Sequence, residues 1–189
     1  MLVLTVLILQ TAAAQSNPAN PANRVDQQAK MDAFIKTLSP VEEHKILHRW
    51  VGNWDVTMHM DPAKPPVGTG TIKGTMMYDG RFLFLETEGT SLGQPVKALT
   101  IVGYDVHTMR YNAVNVGGAS TAMYSSSGTF DPATGALDLH GEMNDPFGKR
   151  PVRYVYILKE NSLPVFEAYD TPYGKEKLIV RMTCQPAQK

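Results

Sequence analysis

The sequence predicts an all-β fold, an antiparallel barrel of about 8–10 strands preceded by one or two short N-terminal helices, and three observations carry that expectation. After Gly52 the hydrophobic pattern changes from helical spacing to alternation, and apolar runs recur to the end of the chain. The segments between these runs are short and rich in turn-forming residues, so successive strands must run antiparallel. About ten strands with no helix between them would leave long unpaired edges in an open sheet, and closure removes those edges.

The elements follow in order. Met1 to Leu9 are apolar apart from Thr5, and Thr11-Ala12-Ala13-Ala14 supplies the small residues of a leader-peptidase site. Residues 1–14 are expected to be a signal peptide cleaved after Ala14, and the mature protein to be periplasmic or secreted. Residues 15–30 are rich in Asn, Pro, Ala and Gln with little apolar bulk, the composition of a flexible linker. The remaining stretch, 31–189, reads as a single barrel domain with its N-terminal helices. Met31, Phe34, Ile35 and Leu38 fall at i, i+3, i+4 and i+7, the stripe of a short amphipathic helix. In a second helix, Ser39 is the N-cap, Pro40 the first helical residue, Glu42 the closing member of a capping box and Gly52 the terminator.

Strands are expected at 54–60, 68–78, 81–88, 95–104, 110–116, 121–130, 136–143, 151–159, 164–170 and 175–184. Asp79-Gly80 signals a two-residue hairpin, Asp131 to Gly135 a turn closed by glycine, and Asp145-Pro146, Asn161-Ser162 and Pro172-Tyr173-Gly174 further reversals. In the first strand Trp54, Val56, Met58 and Met60 share one face of the pleat and Asp55, Thr57 and His59 the other. Later strands are partly apolar on both faces, as with Ile72, Met76 and Tyr78, or Tyr154 and Tyr156 against Val155 and Ile157.

Composition narrows the function. Lys+Arg and Asp+Glu are both 18, so no basic excess exists to hold a phosphate backbone and nucleic acid is not an expected partner. Beyond the leader, no run approaches the roughly 20 apolar residues of a membrane span. The single cysteine, Cys184, excludes an internal disulfide and a multi-cysteine zinc site.

Several constellations have chemical potential. His44 and His48, four apart beside Glu43, could bridge a metal, although solvent-facing or packed histidines fit the spacing better. Asp138, His140 and Glu142 alternate on one face and read as the wet side of a strand. Glu86 and Glu88 share a face with Phe82 and Phe84, the pattern of buried carboxylates with raised pKa values or of a strand end emerging into solvent. Ser125 to Ser127 lack a nucleophile elbow, and Gly68-Thr69-Gly70 lacks the spacing of a nucleotide fingerprint. Arg181 is placed to lie across Trp54 at the barrel base. Arg153, Glu167 and Tyr169 are candidates for the few polar groups of an otherwise apolar pocket.

Val51-Gly52-Asn53-Trp54 resembles the Gly-x-Trp motif with which lipocalins open their first strand. A longer series is similar to a bacterial family, domain-of-unknown-function family 1579. It runs through His44, Leu47, Gly52 and Trp54, then Gly80-Arg81-Phe82-Leu83, Gly93-Gln94-Pro95 and Gly103-Tyr104-Asp105. It continues with Gly128-Thr129-Phe130-Asp131, Leu137-x-Leu139-x-Gly141-Glu142, Asp145-Pro146-x-Gly148-Lys149, Phe166-Glu167-x-Tyr169 and Gly174-Lys175-Glu176. The resemblance covers about residues 40–184 and implies a lipocalin-like, often exported barrel with no established activity. Where such proteins tend to carry a Trp and an Asp in the fifth strand, this chain has Asn112-Ala113-Val114-Asn115, which points to a different ligand or to none.

The leading expectation is a barrel that binds a small apolar or amphipathic ligand, with Trp54, Met58, Tyr78, Arg153, Glu167, Tyr169 and Arg181 as the ligand-binding set. No catalytic residue, metal ligand or cofactor is assigned. The alternatives are an isomerase or hydrolase using Glu86 or Glu167, and a filled barrel acting through its outer surface.

Overall fold

A computed structural model describes residues 21–118, 120–146, 148–171 and 174–188. The expected leader with its cleavage point at Ala14 lies outside the described residues, as do positions 15–20 and the Pro172-Tyr173 part of the last reversal. The chain forms two compact units, one ending at Ser39 and one starting at Pro40.

In the first unit, helix α1 spans Pro21–Thr37. Residues 21–30, expected as flexible linker, are therefore helical, and local pairing explains why composition misjudged them. Pro21 stands at the first helical position, where its fixed φ suits the helix. Lys30 pairs with Asp26 at 2.6 Å and Gln28 donates to Asp32 at 2.8 Å, both at i, i+4 spacing. Of the expected apolar stripe, Met31, Phe34 and Ile35 lie in α1 and Leu38 just past its end.

The second unit opens with a 3₁₀ helix, Glu42–Trp50, where an α-helix starting at Pro40 was expected. Its N-cap is Val41, not Ser39, and the Val41 N–H donates to Nδ1 of His44 at 3.1 Å, so an imidazole takes the place foreseen for Glu42. With three residues per turn, His44, Leu47 and Trp50 fall in one line, and all three are buried. Such helices are seldom this long. This one is held by burial of Leu47 and Trp50, each 1% exposed, and by the bond from Arg49 Nη1 to the Leu158 carbonyl.

The remaining chain is ten strands: β1 (Gly52–His59), β2 (Gly68–Met77), β3 (Phe82–Ser91), β4 (Gln94–Asp105), β5 (Arg110–Gly117), β6 (Tyr124–Asp131), β7 (Ala136–Asp145), β8 (Gly148–Ile157), β9 (Val165–Asp170) and β10 (Lys177–Pro186). Each pairs antiparallel with the next, and β10 returns to β1 to close the barrel. The sequence alternation located all ten. Met60, expected to face in with Met58, lies past the end of β1 and is exposed.

Two turns show how local chemistry sets register. Met77 pairs with Phe82, so the connection is the four residues 78–81 and not a two-residue hairpin. Tyr78, Asp79 and Gly80 all have positive φ (52°, 57° and 85°), and the Arg81 side chain ties the loop by donating to the Tyr78 carbonyl and Asp79 carboxylate at 2.7 and 3.2 Å. The turn ending at Gly135 is as expected. Gly135 has φ 70°, its N–H donates to the Asp131 carbonyl at 2.8 Å, and the Asp131 carboxylate accepts from Ala133 N–H and the Thr134 hydroxyl.

The 3₁₀ helix seals the barrel end at which β1 begins. Leu47 and Trp50 join Leu83, Val102, Tyr111, Leu137, Leu139 and Leu158 in one core, and the Tyr111 hydroxyl donates to the Glu43 carbonyl at 2.8 Å. Gly74 permits this closure. A Cβ there would stand 1.8 Å from the Trp50 carbonyl oxygen, so any side chain would push the helix off β2. The other end, ringed by the connections after β1, β3, β5, β7 and β9, has no such plug among the described residues.

Candidate functional site

The strand register decides which side chains line the interior, because paired residues share a face of the sheet. Tyr154 pairs with Leu139 and Ala168, Ala168 with Val180, Met182 with Met58, and Ala113 with Ser126 and Val102. These residues face inward. In the half of the barrel away from the 3₁₀ helix they leave a cavity of about 230 Å³.

Its lining is sided. Thr100 of β4, Asn115 of β5, Tyr124 and Ser126 of β6, and Tyr154 and Tyr156 of β8 bring hydroxyl and amide groups to one arc. Phe166 and Ala168 of β9 with Val180 and Met182 of β10 form the apolar arc opposite. A smaller lobe of about 90 Å³ shares Thr100, Asn115, Tyr156, Phe166 and Met182 and is lined at its base by Trp50, Ile72 and Leu85. None of the residues lining either lobe is charged.

Within this lining Asn115 Nδ2 donates to Thr100 Oγ1 at 2.7 Å. Burial pushes the Tyr156 phenol above its ordinary range, Tyr154 adds to the shift, and the Thr100 hydroxyl opposes it. Burial raises Tyr154 as well. Both phenols therefore stay protonated at neutral pH. The Phe166 ring packs against Tyr156 at 5.0 Å and lies nearly parallel to Tyr154, 17° apart with centroids at 6.2 Å. Trp50 stands edge-on to Tyr156 at 5.7 Å, and its indole N–H is the one fully buried side-chain polar atom without a partner among the described residues. A buried indole N–H ordinarily finds an acceptor.

The expected binding set is divided by this geometry. Met58 is inward and buried, next to Met182 in a crevice beside the cavity. Trp54 is inward but belongs to the sealed end, where its Nε1 donates to the Trp50 carbonyl at 3.1 Å. Tyr78 is corrected: it sits in the 78–81 turn, 62% exposed, against Phe82 and Phe84 on the outside. Arg153, Glu167, Tyr169 and Arg181 are corrected too. Arg153 pairs with Tyr169 and with His140, and Glu167 with Val155 and Arg181, which places all four on the outer wall.

There the four make a ladder of their own. Arg181 Nη1 meets Glu167 Oε1 at 2.9 Å, the Tyr169 hydroxyl donates to Glu167 Oε2 at 2.6 Å, and the Arg153 guanidinium lies 5.1 Å from the Tyr169 ring centroid. Arg153 also grips Asp138 through Nε at 2.8 and 3.0 Å and reaches Glu176 at 3.2 Å. Burial, and then the Glu167 carboxylate, push the Tyr169 phenol up to about 12. The expected contact of Arg181 with Trp54 is replaced by this outer pairing.

The other constellations are also placed. Glu86 and Glu88 face outward and pair with Lys73 at 3.9 Å and Lys97 at 2.8 Å, so they are not buried carboxylates. Asp138, His140 and Glu142 lie on the outer face, as the wet-side reading expected. His44 is buried edge-on against Tyr104 while His48 is exposed. Sequence reasoning missed Thr100, Asn115, Ser126 and Phe166 as cavity residues. It also missed Arg150, which clamps Asp145 and Asp170 at 2.7 Å each across β7, β8 and β9 on their inward faces. The usable signal was the pair of inward tyrosines in β8, which fixes the parity of the neighbouring strands once pairing is known.

No helix among the described residues is long and apolar enough to cross a membrane. The family model described as "Protein of unknown function (DUF1579)" matches residues 39–185. No curated protein matches the chain.

Proposed function

The chain belongs to the DUF1579 family of proteins of unknown function, and from that premise we propose that it is an exported binding protein holding a small apolar or amphipathic molecule inside its barrel. The observation that carries this reading is the sided, uncharged cavity of about 230 Å³ in the half of the barrel that the 3₁₀ helix leaves free. An apolar cavity of about 150 Å³ accepts benzene, so this one suits a ligand of about ten heavy atoms. Its lining is the usual kind for such sites, mostly apolar and aromatic walls with a few polar groups that fix orientation. Neither carboxylate of the enzymatic alternative, Glu86 or Glu167, lines it, and burial holds the Tyr154 and Tyr156 phenols that do line it protonated. Export rests on the apolar run Met1 to Leu9 followed by Thr11-Ala12-Ala13-Ala14.

The test is native mass spectrometry of protein expressed with its own leader. The expected spectrum shows a chain beginning at Gln15 and a bound species of low mass. Ala168→Leu, which places a larger side chain in the cavity, abolishes the bound species while the protein stays folded. A bound species that persists unchanged in Ala168→Leu places the ligand elsewhere and overturns the reading.

A further inference from the structure

We infer that the ligand is a neutral ring compound with hydrogen-bonding oxygen on one edge, not a chain with an ionised head; this deepens the binding reading above and rests on it. The first ground is charge. No charged side chain lines either lobe, and an ionised group enters such a space only with a partner. Arg150, the cation on the inward face of β8, is committed to Asp145 and Asp170 and is not free to hold an acid.

The second ground is the distribution of unpaired groups. Ser126 is more than nine-tenths buried, lines the cavity, and has no hydrogen-bond partner for its hydroxyl among the described residues. The Tyr154 hydroxyl, two strands away, is equally without one. β7, which runs between them, contributes Gly141 opposite Ser126 and Leu139 opposite Tyr154, and neither offers a hydrogen-bonding side chain. Both hydroxyls border the cavity, so a ligand oxygen on that side meets donors that no other side chain occupies. The third ground is shape. The nearly parallel Tyr154 and Phe166 rings offer a flat aromatic surface, which a ring covers better than a flexible chain.

Three probes of about ten heavy atoms, a size set by the cavity, separate the possibilities in calorimetric titrations of the full-length mature protein: 4-propylphenol, propylbenzene and octanoate. The expected result is that 4-propylphenol binds at least about tenfold more tightly than octanoate and about fivefold more tightly than propylbenzene, the range of one net hydrogen bond. Ser126→Ala and Tyr154→Phe, which keep the backbone and the ring, each narrow the preference over propylbenzene by severalfold. Octanoate or propylbenzene binding as tightly as the phenol overturns the inference and leaves the binding reading standing. If none of the three binds, the inference is overturned, and the binding reading is then decided by the native bound species and its loss in Ala168→Leu.

Discussion

Replacing Ala168 with leucine tests whether the space in the barrel is empty or merely drawn between side chains. Ala168 is buried at 6% exposure on the inward face of β9, between Tyr154 and Val180 in the register, and borders the 230 Å³ cavity. Leucine adds three carbons, and at about 0.8 kcal/mol for each carbon removed from water the transfer gain is about 2.4 kcal/mol. Fixing the new side chain costs about 0.5–1 kcal/mol of rotamer entropy. The net expectation is a stabilisation of about 1.5 kcal/mol, which at a urea slope of about 2 kcal/mol/M moves the unfolding midpoint up by about 0.7 M. Trp50 and Trp54 report the transition by fluorescence, since both are in the interior at the sealed end. A loss of about 1 kcal/mol or more is the signature of overpacking. That result would mean the side chains already fill the site, and the filled, surface-acting barrel would replace the binding reading.

Three other perturbations probe separate parts of the molecule. Burial holds the His44 imidazole below its ordinary value, so the unfolded chain takes up the proton first on acidification; the stability is fully present above about pH 6.5 and is lost as pH falls through that value. His44→Gln should flatten the change in urea midpoint between about pH 7.5 and about pH 5.5, and equal slopes in the two proteins would refute the assignment. Glu167→Gln should cost about 2 kcal/mol through its weakened bonds to Arg181 and Tyr169 while ligand retention is unchanged, because the group is outside the barrel; a lost ligand would contradict that placement. Cys184 is 1% exposed and burial pushes its thiol up to about 12, so a thiol reagent should label it at the rate of unfolding and not before; prompt labelling of native protein would show that β10 opens locally.

The strands were legible because their signals are local. Alternation and short turns report on a few residues at a time, and neither depends on what the chain packs against. The helices were less legible because their form is set by context. A Ser39 to Glu42 box suggests an α-helix, yet burying His44, Leu47 and Trp50 in one line under the barrel requires three residues per turn. The reverse error occurred at residues 21–30, where the absence of apolar bulk suggested a spacer while i, i+4 pairs support a helix.

The site was legible only in kind, and the reason lies in how a closed barrel assigns faces. Polarity is a poor guide here. Ser126 and Thr100 are inside, whereas Glu167, 8% exposed, is buried on the outer wall under Arg181 and Tyr169. A rule that sends the more buried polar residue inward therefore ranks Glu167 with Ser126. Register is what separates them, and register can turn on one residue. Leu178 pairs with Tyr169 but Val180 pairs with Ala168, so Ile179 is an extra residue in β10. Without that bulge the pairing would run Ile179 to Ala168 and Arg181 to Phe166, and Arg181 would face inward, toward the position expected of it from sequence. With the bulge Arg181 turns out to meet Glu167, and Met182 turns in to line the cavity. The uncharged character of the cavity, on which the ligand class depends, is thus owed in part to a one-residue irregularity that no periodicity in the sequence announces.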